Sequence, residues 1–63
     1  MDRSEYSELE RAVDEALKLG GKNVEMMRRI VRNRLNDLQL DQDRDADLIA
    51  RVMQLYFRLG GAI

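Results

Sequence analysis

Apolar residues recur along this chain at helical spacing in three separate stretches. Tyr6, Leu9, Val13 and Ala16 follow one another at intervals of three and four, and Leu17 widens that stripe. Val24, Met27, Val31, Leu35 and Leu38 form a second stripe flanked by Met26 and Ile30. The third stretch, Arg44 to Leu59, is the most apolar. At about 100° per residue, side chains three and four apart share a helix face, so each stretch predicts an amphipathic helix. The predicted helices cover residues 4–19, 23–38 and 43–59 within a single domain, residues 1–63.

The third helix carries more apolar surface than one stripe requires. Its apolar side chains span an arc of about 220°, counting roughly 100° per residue. Two seams run along it, Leu48, Val52, Leu55, Leu59 and Ala46, Ala50, Met53, Phe57, with Ile49 and Tyr56 between them. A surface helix uses one seam to close its own core. The first seam is therefore assigned to the core and the second to an interface with another copy or another protein.

Breaks in the pattern fit helix ends. Asp2 with Glu5, and Ser7 with Glu10, have capping-box spacing at the first helix. Gly20 or Gly21 suits the left-handed position past Leu19, and Asn23 is the expected N-cap of the second helix. So short a link forces the first two helices into an antiparallel or steeply crossed pair. Asp41 or Asp43 would cap the third helix, with the remaining acids in its first turn, and Gly60-Gly61 would stop it. The endings Leu19-Gly20-Gly21 and Leu59-Gly60-Gly61 look like two uses of one C-cap solution. With no proline and no strand-like alternation, the expected fold is all-α: a small three-helix bundle, packed into a homodimer through its third helix.

Composition narrows the chemistry. A chain of 63 residues buries a modest core and gains from disulfides, a metal or oligomerisation. There is no cysteine and no histidine, which removes disulfides, thiolate or imidazole ligation and a histidine base. The lack of cysteine suits a cytoplasmic location. No secretory signal is visible at the N-terminus, and Arg51 and Arg58 interrupt the stretch nearest to a membrane span. The only serines are Ser4 and Ser7, and threonine is absent, so no nucleophile–base pair presents itself and no enzyme is expected. Gly20-Gly21-Lys22 lacks the leading glycine and the hydroxyl of a phosphate-binding loop. No cofactor and no small-molecule substrate are expected.

Net charge is −1 but unevenly spread. Residues 1–19 hold six acids and three bases, and residues 20–38 two acids and five bases. Asp41, Asp43 and Asp45 have the spacing that opens a calcium loop, yet Ala46 replaces the turn glycine and Val52 the closing glutamate. Helix capping is the better reading of that run. Arg28, Arg29 and Arg32 are expected to project opposite the apolar stripe of the second helix, with Asn33 and Asn36 beside them. Arginine and asparagine suit phosphate contact and base-edge hydrogen bonding. Glu25 is placed to pair with Arg28 and Arg29 instead. Arg34 falls inside the apolar arc between Ile30 and Met27, so it must pair, with Asp37 the nearest candidate, or snorkel, or mark a partner contact. Met26, Met27 and Met53 read as core at this spacing.

Residues 12–19 followed by the helix from Asn23 resemble a helix-turn-helix, with Ala16, Leu19, Gly20 and Met26 compatible and Glu15 and Arg29 where buried apolar residues would be expected. Length and helical pattern also resemble small dimeric helical regulators, plasmid copy-number RNA-binding proteins among them. No motif matches that group residue by residue, and three helices are expected here rather than a two-helix hairpin. The expected function is a self-associating protein–protein interaction module, a non-catalytic regulator or adaptor contacting its partner through Ala46, Ala50, Met53 and Phe57. One alternative is a nucleic-acid-binding regulator using Arg28, Arg29, Arg32 and Asn36. Another is a designed or selected bundle without natural function. Arginine outnumbers lysine nine to two, which favours a natural origin.

Overall fold

The computed structural model describes residues 3–39 and 46–61. They form three helices, α1 (Arg3–Leu19), α2 (Lys22–Gln39) and α3 (Ala46–Arg58), and no strand. Asp41, Asp43 and Asp45, assigned above to helix capping, lie outside the described residues, whereas Asp47 stands in the first turn of α3.

The core draws on all three predicted stripes, but it adds Tyr56, expected between the α3 seams, and leaves the stripe residues Tyr6, Val24 and Leu48 at its edge. Leu9, Val13 and Ala16 from α1 meet Met27, Val31, Leu35 and Leu38 from α2 and Val52, Leu55 and Tyr56 from α3, with Leu59 just beyond. Tyr6, Val24, Leu48, Ile49 and Met53 pack around this centre, half-buried. Val13, Val31, Val52 and Leu59 are fully buried, each contributing about 1.5–3 kcal/mol relative to exposure. No buried side-chain polar atom among the described residues lacks a partner. α2 is the central element. Arg28, near its start, reaches the end of α3, so α2 and α3 run antiparallel. Tyr6 and Asp14 of α1 meet Arg51 and Arg58 of α3 in the same order, so those two helices run parallel.

The two Leu-Gly-Gly endings differ, against the sequence expectation of one shared cap. At α1, Gly20 at φ 70° donates its N–H to the Ala16 carbonyl at 2.9 Å, the single-bond left-handed cap. At α3, Gly61 donates to the Tyr56 carbonyl at 3.0 Å and Gly60, at φ 81°, to the Phe57 carbonyl at 2.9 Å. That paired pattern is a Schellman motif. The difference has a local cause. Gly21 is also left-handed, at φ 57°, and the second left-handed residue turns the chain straight into α2.

The same turn corrects the N-cap expectation. α2 begins at Lys22, so Asn23 sits inside the first turn. Its backbone N–H and side-chain amide both donate to the Gly20 carbonyl, at 3.2 and 3.4 Å. Asn23 ties the two helix ends together from within the helix.

Candidate interaction surfaces

The outer seam of α3 is partly open to solvent, and Met53 also packs against the core. Ala46 and Ala50 are exposed, Met53 is half-buried and Phe57 is 49% exposed. Arg51 and Arg58, on the opposite flank of the core stripe, face α1. Arg58 forms an ion pair with Asp14 at 2.6 Å, and the Arg51 guanidinium lies 6.0 Å from the centre of the Tyr6 ring. The seam therefore occupies the side of α3 turned away from α1. Its aromatic end is braced by the buried Tyr56 ring, tilted against Phe57 with centroids 6.4 Å apart.

The arginine face is smaller than the spacing implied. Arg29, Arg32, Asn33 and Asn36 are exposed along α2. Arg28 is not with them. It is half-buried and turns toward α3, where Nε and Nη2 donate to the Leu59 carbonyl at 3.1 and 2.9 Å. That carbonyl closes a helix C-terminus, where backbone acceptors lack intrahelical donors and partial negative charge accumulates. A guanidinium meets both needs. Arg28 is thus a C-cap delivered in trans from α2, and the pairing of Glu25 with Arg28 or Arg29 does not form among the described residues. Arg34 is exposed and makes no ion pair with Asp37. Of the three readings offered for Arg34, a snorkelling side chain fits the monomer.

A second apolar surface escaped the sequence reading. Ala12, Ala16 and Leu19 of α1 and Met26, Met27 and Ile30 of α2 line an open groove of about 290 Å³, with Glu15 and Asn23 as its polar members. Leu19, Met26 and Ile30 are 68%, 65% and 46% exposed. Leu17, expected to widen the core stripe, is also exposed. A helix-turn-helix would bury Leu19 and Met26 at its junction, so the resemblance stops at the spacing. The signal was present in the excess of apolar residues flanking the α2 stripe. Three helices cannot cover every apolar flank, and sequence alone does not say which one stays open.

Between α1 and α3, Tyr6 donates its hydroxyl proton to Glu10 Oε2 at 3.2 Å. Partial burial, then this hydrogen bond and the nearby Glu10 charge, raise the Tyr6 pKa above its ordinary value, against the lowering pull of Arg51 and Arg58. Among the described residues no group of three acids is placed to hold a metal, and no helix is long and apolar enough to cross a membrane.

Comparison with protein-family models, with characterised proteins and with solved structures finds no match to this chain.

Proposed function

We propose that this chain is a small, cytoplasmic, non-catalytic helical interaction module that associates with itself through the outer seam of α3 and serves as a regulator or adaptor. The observation that carries the reading is the position of Phe57. It stands about half exposed in line with Ala46, Ala50 and Met53, while Val52, Leu55 and Leu59 on the other seam already close the core. Covering Phe57 would recover part of the roughly 1.5–3 kcal/mol that full burial of such a side chain contributes. Sedimentation tests the reading. The wild type should dimerise at high micromolar concentration, and Phe57→Asp should return it to monomer with its helical circular dichroism unchanged. A wild type that stays monomeric at about 0.5 mM, well above the micromolar range of weak specific complexes, would overturn the reading.

A second reading, contact with nucleic acid, rests on the exposure of Arg29, Arg32 and Asn36 on one basic helix. With Arg28 engaged at Leu59, the footprint contains two arginines, and counterion release scales with the number of phosphates neutralised. The appropriate variant is Arg29→Ala with Arg32→Ala, which leaves the Arg28 cap in place. Binding of the wild type to duplex DNA or structured RNA at about 50 mM salt, lost in that double variant, would support this reading. No binding at tens of micromolar protein would remove it.

A further inference from the structure

We infer that the α3 seam takes a second copy of the same helix running antiparallel, with each Phe57 seated over Ala46 of the other copy. This rests on the self-association proposed above and specifies its geometry. Ala46, Ala50, Met53 and Phe57 recur at intervals of four, three and four, so they form one continuous seam about 16 Å long at 1.5 Å per residue. Its ends are unlike, with two alanines at the start and two long side chains at the finish.

A two-fold axis perpendicular to α3, passing midway between Ala50 and Met53, matches small to large at every step. Phe57 meets Ala46, Met53 meets Ala50, and the same two contacts repeat by symmetry, as an isologous interface requires. A parallel pair would set Phe57 against Phe57 at one end and leave alanine facing alanine at the other. Interfaces pack to the density of protein interiors, so the antiparallel match is favoured.

Charge selects the same orientation. Asp47 and Arg58 are eleven residues apart and lie within about 20° of each other around the helix at 100° per residue. Antiparallel pairing therefore brings the exposed Asp47 of one copy toward Arg58 of the other. Arg58 already holds Asp14 at 2.6 Å through one nitrogen, Nη2. The guanidinium has five N–H donors, enough to bridge a second carboxylate. Parallel pairing would put these flanks of the two copies on opposite sides of the interface, so no Asp47–Arg58 contact would form. Antiparallel helices also place opposite ends of their dipoles together.

One short helix pair is a small interface, so the expected Kd is on the order of 10–100 µM. Because the chain has no cysteine, an introduced one can be labelled alone. Asp47→Cys carrying a nitroxide, without isotope label, is mixed with ¹⁵N-labelled wild type at about ten times the expected Kd. Only intermolecular broadening is then visible. The antiparallel pair predicts that the amides of Tyr56 through Gly60 broaden. Ala50→Arg in both chains should abolish the effect and raise the Kd at least about tenfold, with helicity kept because Ala50 is exposed in the monomer. Broadening confined to Ala46–Ala50 would show a parallel dimer, and broadening at Met26 and Ile30 a dimer through the groove. Either result overturns the inference while self-association stands. No broadening, with sedimentation as a monomer, overturns both.

Discussion

Arg28→Ala should destabilise this protein more than removal of any other arginine on α2. The variant deletes two hydrogen bonds from a charged donor to the Leu59 carbonyl, at 3.1 and 2.9 Å, across a separation of 31 residues. Hydrogen bonds involving a charged group contribute about 1.5–3 kcal/mol net, and a cation at a helix C-terminus about 0.3–1 kcal/mol. The two figures overlap, since the same charge serves both, and Arg28 is only half-buried. An expected loss of about 1.5–2.5 kcal/mol follows. For a domain this small, each kcal/mol corresponds to roughly 4–8 °C in Tm, so the midpoint should fall by about 6–20 °C. Thermal and urea unfolding followed by circular dichroism would measure it, at low micromolar concentration to keep dimerisation out of the reading. Arg29→Ala and Arg32→Ala, both at exposed positions, should stay within about 0.5 kcal/mol of wild type. Arg28→Lys should recover the charge contribution but not the two-nitrogen grip on one oxygen. The wild-type advantage over Arg28→Ala should survive in about 1 M salt, where dipole effects are screened and short hydrogen bonds are not. If Arg28→Ala unfolds with the exposed-arginine variants, the cap contributes nothing and this reasoning fails.

Three further outcomes are expected. Gly61→Ala should cost about 1–3 kcal/mol, because a Cβ there would fall on the buried Tyr56 ring, 2.6 Å from Cδ2; Gly20→Ala meets no atom within 4 Å and should cost only the left-handed strain at φ 70°, about 1 kcal/mol. Urea midpoints for the two variants would check that order, and it is refuted if Gly20→Ala is the worse. Tyr6 has its folded pKa raised above 10.0, so its neutral form is favoured by folding; the contribution is present below pH 10 and is lost as pH rises through the folded value, where the native state holds the extra proton. Tm should fall in that alkaline window, and Tyr6→Phe should remove that component. Millimolar calcium should leave the Tm unchanged, since Ala46 and Val52 stand where a calcium loop needs glycine and glutamate; a rise of several degrees abolished by Asp43→Asn would refute this.

The parts of the fold legible in the sequence are those set by periodicity. Val13, Val31 and Val52 each sit mid-stripe in a predicted helix and each is fully buried. The separation of the α3 seams was legible for the same reason, because angle around a helix axis is fixed by residue number alone. What periodicity cannot carry is the partner of a long polar side chain. Arg28, expected opposite the α2 apolar stripe with Glu25 or solvent as its partner, stands instead half-buried at the edge of that stripe. Its actual acceptor exists only once α3 ends beside it. Asn23 shows the same limit on a smaller scale. Its residue type fits an N-cap, but Gly21 turns so tightly that the helix starts one residue earlier.

Arg28 also bears on what the molecule can offer a partner. A bundle with three bare arginines on α2 would present an anion-binding face. Engaging one of the three at Leu59 leaves two on that face, and the same contact secures the end of α3. The Schellman turn at Gly60-Gly61, the Tyr56 ring over Gly61 and the Arg28 fork on Leu59 all act on one helix terminus. Phe57 stands within that terminus. A hydrophobic contact contributes most to association when its side chain is held in place before binding, because less conformational entropy is lost on docking. Fixing the end of α3 leaves Phe57 displayed from a rigid platform, whereas Met26 and Ile30 line an open groove with no comparable brace. Among the described residues the one long-range cation–carbonyl contact secures the helix end from which Phe57 projects, and that is where self-association should be sought first.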